Sequence, residues 1–285
     1  MNAKAVPSFG TRLRQAMEKR GPLCVGVDPH RALLETWGLA DDVSGLEQFA
    51  LTCVEALAGE VAVLKPQSAF FERHGSRGVA VLERVVREAR AAGALVIVDA
   101  KRGDIGSTMA AYAQAYLDQS SPLAADALTV SPYLGYESLR PALDLAAAQG
   151  SGVFVLCLTS NPEGAAVQHA RAAEGEAVAA AVAGGAAVDN AAAEDLGHVG
   201  LVVGATVGRA VADLGIDLAS TQAPLLAPGI GAQGAGPAEL AAVFGTARRN
   251  VLPSSSREVL AAGPTPSGLR EAAARTLDGC RAALA

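Results

Sequence analysis

Eight short apolar runs, each followed by a stretch of helical periodicity, constrain this chain more than any other feature of it. The runs are Leu23–Pro29, Val61–Pro66, Ala94–Val98, Ala127–Ser131, Val153–Leu158, Val199–Val203, Pro224–Pro228 and Asn250–Pro253. They are rich in valine, leucine and isoleucine and lack polar alternation, the pattern of parallel strands covered on both faces. Between them, apolar residues fall on single helical faces: Leu46, Phe49, Ala50, Cys53, Val54 and Leu57, then Val79, Leu82, Val85, Val86 and Ala89. Thr108–Leu117, Glu137–Ala148 and Pro237–Phe244 continue the rhythm, and Phe9, Leu13 and Met17 mark a short helix ahead of the first strand, suited to covering one end of the core. Eight such repeats in about 250 residues predict an α/β fold, a (β/α)8 barrel, with a doubly wound open sheet as the second possibility.

No linker rich in Pro, Gly and Ser interrupts the pattern, so residues 1–285 are expected to form one domain. The alanine-rich stretch at about 163–196 reads as a helical insertion. Gly184-Gly185 in its middle is expected to break it into two pieces.

The 285 residues are 51% apolar and 18% charged, which supports a large core and excludes disorder. A formal net charge of -6 argues against a nucleic-acid surface, so an anionic ligand needs a local basic cluster. Cys24, Cys53, Cys157 and Cys280 are scattered and read as buried free thiols in a reducing compartment. Met1–Ser8 has no apolar run of signal-peptide length, and no stretch is long enough for a membrane span. A cytoplasmic protein is expected.

In a parallel barrel, chemistry gathers at the carboxyl ends of the strands. The residues there are Asp28, Lys65, Asp99, Lys101, Asp104, Ser160, the loop from Gly229 to Gly234 containing Gln233, and Ser254-Ser255-Ser256-Arg257. Asp99 and Lys101 share a face of an extended backbone, and Asp104 follows a turn at Gly103. A lone Asp-x-Lys reads equally well as a structural ion pair at a barrel rim. Buried charges of both signs are expensive unless they pair, and this array supplies both. Glycines 229, 231 and 234 together with Arg257 read as a phosphate cradle, with a helix beginning near Arg257. His30, His74, His169 and His198 lie at unrelated positions and no G-x-G-x-x-G follows the first strand, so neither a metal nor a cofactor is expected.

The string Asp99-Ala-Lys101-Arg-Gly-Asp104-Ile105-Gly-Ser-Thr108 resembles the signature of the orotidine 5'-phosphate decarboxylase family, in its bacterial branch. The resemblance extends over almost the whole chain. It implies cofactor-independent decarboxylation of orotidine 5'-phosphate to UMP and carbon dioxide, the last step of de novo pyrimidine synthesis. It also implies catalytic roles for Lys65, Asp99, Lys101 and Asp104, with Lys101 the proton donor. Asp28 matches a ribose contact, Ser160 a contact to the pyrimidine edge, and Gln233 and Arg257 a clamp on phosphate and base. A homodimer is implied, with Asp104, Ile105 and Thr108 reaching the partner's active site. The family often carries glycine beside the arginine where this chain has Ser254-Ser255-Ser256.

Two other readings stand beside it. Magnesium-dependent sugar-phosphate synthases and decarboxylases of the same barrel superfamily share Asp-x-Lys-x-x-Asp but resemble this chain less at the second strand, where Lys65 replaces a carboxylate. A non-catalytic barrel that binds a phosphorylated ligand is the third.

Overall fold

The computed structural model describes residues 7–229 and 235–285. Its eight strands are β1 Cys24–Val27, β2 Val63–Pro66, β3 Leu95–Arg102, β4 Ala127–Val130, β5 Gly152–Leu158, β6 Val199–Val203, β7 Leu225–Pro228 and β8 Val251–Ser255. All pair in parallel with their sequence neighbours, and β1 pairs with both β2 and β8, through Cys24↔Ser254 and Val25↔Ser255. The sheet is therefore a closed (β/α)8 barrel, and the open-sheet alternative is ruled out.

Closure sorts the side chains by parity. Outward residues such as Val25, Leu64, Val96, Val98, Leu128 and Val153 pack beneath the surrounding helices. Inward residues Cys24, Val63, Ile97, Ala127, Phe154, Val202, Leu226 and Leu252 fill the barrel as an apolar layer. Because side chains alternate with a period of two, the next inward residue on each strand forms the layer above it. Those residues are Gly26, Lys65, Asp99, Thr129, Leu156, Gly204, Pro228 and Ser254. Within one pleat the barrel's contents thus change from wholly apolar to a layer that carries Lys65, Asp99, Thr129 and Ser254.

The amino end is plugged. Helix Phe9–Arg20, capped by Ser8 accepting from the Thr11 N–H, pushes Phe9, Leu13 and Met17 against the apolar layer. The Phe9 ring meets Phe154 edge-on with centroids 5.8 Å apart. Gly152 makes this possible, since a Cβ there would lie 2.3 Å from the Phe9 ring.

β3 extends past the apolar run to Arg102, through a register shift between Val98 and Arg102, so Asp99 and Lys101 lie on the strand, ahead of the expected turn at Gly103. One expectation needs correction. The 163–196 segment does contain two helices, Ala165–Gln168 and Val178–Asn190, but the second runs unbroken through Gly184-Gly185. Gly185 serves packing, because a Cβ there would lie 2.6 Å from the Tyr136 ring. Tyr136 in turn donates to Asp189 on the same helix at 2.6 Å.

Candidate active site

The polar layer opens on a cavity of ≈ 750 Å³ at the carboxyl end of the barrel, lined by Asp28, Lys65, Asp99, Lys101, Ser160 and Arg257 among others. At its base lies a carboxylate with three donors. Lys65 on β2 donates to Asp99 Oδ2 at 2.9 Å, and Lys101 donates to Oδ1 at 2.6 Å. Thr129 on β4 donates its hydroxyl to Oδ1 at 2.8 Å. Gln67 donates to the Asp99 backbone carbonyl at 3.0 Å and so ties the end of β2 to β3.

Asp99 and Lys65 are each only 7% exposed, so their ionisation is set by their neighbours. Burial works against the Asp99 carboxylate, but Lys65 and Lys101 outweigh it and hold its pKa well below the carboxylate range. Burial likewise opposes the Lys65 ammonium, and Asp99 and then Asp28 outweigh it and hold its pKa above the usual lysine value. Both groups are charged at neutral pH. The Lys101 side chain is 45% exposed and uses one of the three N–H bonds of an ammonium on Asp99, which leaves it facing the cavity as a cation.

Across the cavity, Ser256 after β8 donates to Asp28 Oδ2 at 2.5 Å. The other oxygen, Asp28 Oδ1, is buried with no hydrogen-bond partner among the described residues. A buried carboxylate oxygen without a donor is costly, and a ligand hydroxyl would satisfy it. Gly26 lies beneath this pair, where a Cβ would come within 2.9 Å of Ser256. Ser160 and Arg257 line the same cavity, and Arg257 opens a single helical turn, Arg257–Leu260. Gln233 lies outside the described residues. His30 also lines the cavity.

The structure gathers Asp28, Lys65, Asp99, Lys101, Ser160 and Arg257, and it leaves three of the expected site residues outside. Asp104 turns back to accept from the Ile105 N–H at 2.8 Å, while Ile105 is 62% exposed and Thr108 is exposed on the first turn of helix Gly106–Leu117. Within one chain none of the three lines the cavity. Sequence reasoning missed Thr129, Gln67 and the Ser256 contact to Asp28. Parity offered one signal: Thr129 stands two residues beyond inward Ala127, as Asp99 does beyond Ile97.

All four cysteines are free and buried, and burial pushes the Cys24 thiol up to about 12. No group of three or more His, Cys, Asp or Glu side chains comes together as a metal site among the described residues. No helix of the described residues is long and apolar enough to cross a membrane.

A cavity floored by a carboxylate between two ammonium groups is found here on a chain with close relatives. Residues 21–272 match the family model described as orotidine 5'-phosphate decarboxylase / HUMPS. The orotidine 5'-phosphate decarboxylase of Salinispora arenicola is 64% identical over 277 residues, 97% of this chain and 98% of the relative. A crystal structure from Streptomyces avermitilis, provisionally assigned the same activity, superposes with a TM-score of 0.95 at 61% identity, covering 100% of this chain and 98% of that one. The OMP decarboxylase of Leishmania donovani gives 0.75 at 33% identity, covering 97% and 99%.

Proposed function

The chain belongs to the orotidine 5'-phosphate decarboxylase / HUMPS family, and we infer from its site how it carries out the decarboxylation of orotidine 5'-phosphate to UMP and carbon dioxide. The observation that carries the mechanism is the buried Lys65–Asp99–Lys101 array at the floor of the cavity.

Cleaving the bond from C6 to the carboxylate leaves an electron pair in an sp2 orbital in the plane of the ring, where the ring π system cannot delocalise it. Stabilisation must then come from a cation placed beside C6. Lys101, fixed on Asp99 and open to the cavity, is that cation, and after carbon dioxide departs it delivers a proton to C6. Asp99 faces the substrate carboxylate more unfavourably than the product, so binding favours the transition state over the ground state. Lys65 keeps Asp99 ionised for this task. No cofactor takes part in these steps.

The rest of the cavity holds the ligand's remote parts. Asp28 Oδ1, buried and without a donor, takes a ribose hydroxyl. Ser160 meets the pyrimidine edge, and Arg257 with Gln233 clamps phosphate and base, supplying binding energy that orients the ring.

Asp104, Ile105 and Thr108 serve the site of a second copy in a homodimer. In support, the large apolar side chains Ile105, Tyr133 and Leu134, which follow β3 and β4, are 62%, 78% and 53% exposed. Lys65, Asp99 and Lys101 alone sum to one positive charge, and a partner's Asp104 would balance it. We read residues 1–285 as one domain and the protein as cytoplasmic, the latter supported by its four free cysteines.

The test is the loss of ultraviolet absorbance when the protein, treated with a chelator, is given orotidine 5'-phosphate. Rapid loss that vanishes in Lys101→Ala is expected. Turnover that survives in Lys101→Ala, or that requires magnesium, overturns the mechanism.

A further inference from the structure

Lys101 sits at φ +47°, in the left-handed region, although it is not glycine. Only one other described non-glycine residue, Gln222, shares that feature. A side chain there is strained, and such a conformation persists where surrounding contacts hold it. Glycine would relieve the strain, but the ammonium would be lost with it.

What holds it is one hydroxyl. Thr129 Oγ1 accepts the Lys101 backbone N–H at 3.0 Å and donates its own hydrogen to Asp99 Oδ1 at 2.8 Å. The same Oδ1 receives the Lys101 ammonium at 2.6 Å. The contacts form a closed ring: Lys101 backbone, Thr129 hydroxyl, Asp99 carboxylate, Lys101 Nζ. The lysine is therefore gripped at its backbone and at its tip by groups that also grip each other. Thr129 is 1% exposed, its place fixed in β4 by pairing with β5 at Phe154. Just beyond, the Ser131 N–H donates to the Arg102 carbonyl at 2.8 Å and pins the next residue of β3.

We propose that Thr129 is the positioning residue of the reaction: its hydroxyl sets the left-handed backbone of Lys101 and, through Asp99, the place of its ammonium. The inference rests on Lys101 being the group that acts on C6. The hydroxyl is used in both directions, one donated hydrogen and one accepted, so neither an apolar nor a purely donating side chain can replace it. Serine can.

The experiment measures kcat and KM for orotidine 5'-phosphate in the wild type, Thr129→Val, Thr129→Ser and Lys101→Ala. Valine keeps the shape and removes both hydrogen bonds. Misplacing a reacting group by a fraction of an ångström to an ångström lowers turnover by about 10- to 100-fold, and that loss is expected in kcat of Thr129→Val. KM should stay within about threefold, because the ribose, phosphate and base contacts are untouched, and Thr129→Ser should keep kcat within about threefold. If Thr129→Val does not fold, Thr129→Ala takes its place with the same expectations. Wild-type kcat in the hydroxyl-free variant, a loss seen in KM instead, or serine as impaired as valine overturns the proposal while Lys101→Ala remains inactive. Turnover in Lys101→Ala would instead strike the reading on which it rests.

Discussion

The two ends of the barrel each bury a carboxylate between basic groups, and only one of them is built to react. At the amino end, Asp126 is 2% exposed and accepts from Arg12 Nη1 at 2.5 Å and the Val96 N–H at 2.9 Å, with Arg90 Nε 3.5 Å away. Both guanidiniums also bond backbone carbonyls, Arg12 to Gly150 at 2.8 Å and Arg90 to Ala124 at 2.9 Å. At the carboxyl end, Asp99 accepts from two ammonium groups, and one of them, Lys101, keeps its remaining donors toward the cavity. A planar fork that grips carboxylate and backbone together makes a rivet, whereas a point charge with donors to spare makes a reagent. Burial and pairing alone do not distinguish them; the unspent donors and the space above do.

The comparison is broken most directly by Lys101→Ala. It should lower kcat by at least about 10³-fold while the melting temperature changes little, because Lys101 is half exposed. A steady-state assay paired with a thermal melt checks both, and more than a tenth of wild-type turnover would erase the distinction between the ends.

The reciprocal variant is Asp126→Asn. Leaving Arg12 beside a neutral amide should destabilise the fold by about 3 kcal/mol, with kcat/KM within about twofold of wild type. Urea titration and the same assay decide it; an equal loss of activity would make the amino end part of the catalytic machinery.

pH sharpens the contrast further. The pKa of Asp99 is depressed in the folded protein, so its stabilising contribution is complete above the ordinary carboxylate value of about 3.9 and is lost as pH falls below that toward the folded value. That of Lys65 is raised, so its contribution is complete below the ordinary lysine value of about 10.4 and is lost as pH rises through the folded value. The stability gap between wild type and Asp99→Asn should therefore be widest between those limits and narrow on the acid side. Melts across the range test this, and a gap that widens in acid contradicts the depressed value.

The smallest effect is expected from Ser256→Ala, which leaves Asp28 Oδ2 without its donor. KM should rise about five- to tenfold with kcat nearly constant, and a fall in kcat instead would move Ser256 into the chemistry.

Much of this is legible in the sequence. The strand runs and helical faces specified eight βα repeats, and strand-end position singled out Lys65, Asp99 and Lys101, because burial and period-two alternation act locally on each segment. The extended backbone at Asp99 and Lys101 is legible too, and pairing of Arg102 with Val130 keeps it in the strand. Gly184-Gly185 mislead, because their intrinsic tendency to break a helix is overridden by the Tyr136 ring packed on Gly185.

By itself, then, the sequence determined the repeat number and the charges at the strand ends, since both follow from residue type and spacing within a segment. Tertiary structure alone decided which groups meet. Thr129 reaches Asp99 across 30 residues because β4 pairs with β3, and Ser256 reaches Asp28 across 228 because the barrel closes β8 on β1. It also decided that Lys101 takes a left-handed backbone and that Asp104, Ile105 and Thr108 face away from their own cavity. A serine or threonine carries no mark in the sequence of the partner it will find. That partner is supplied by strands brought side by side.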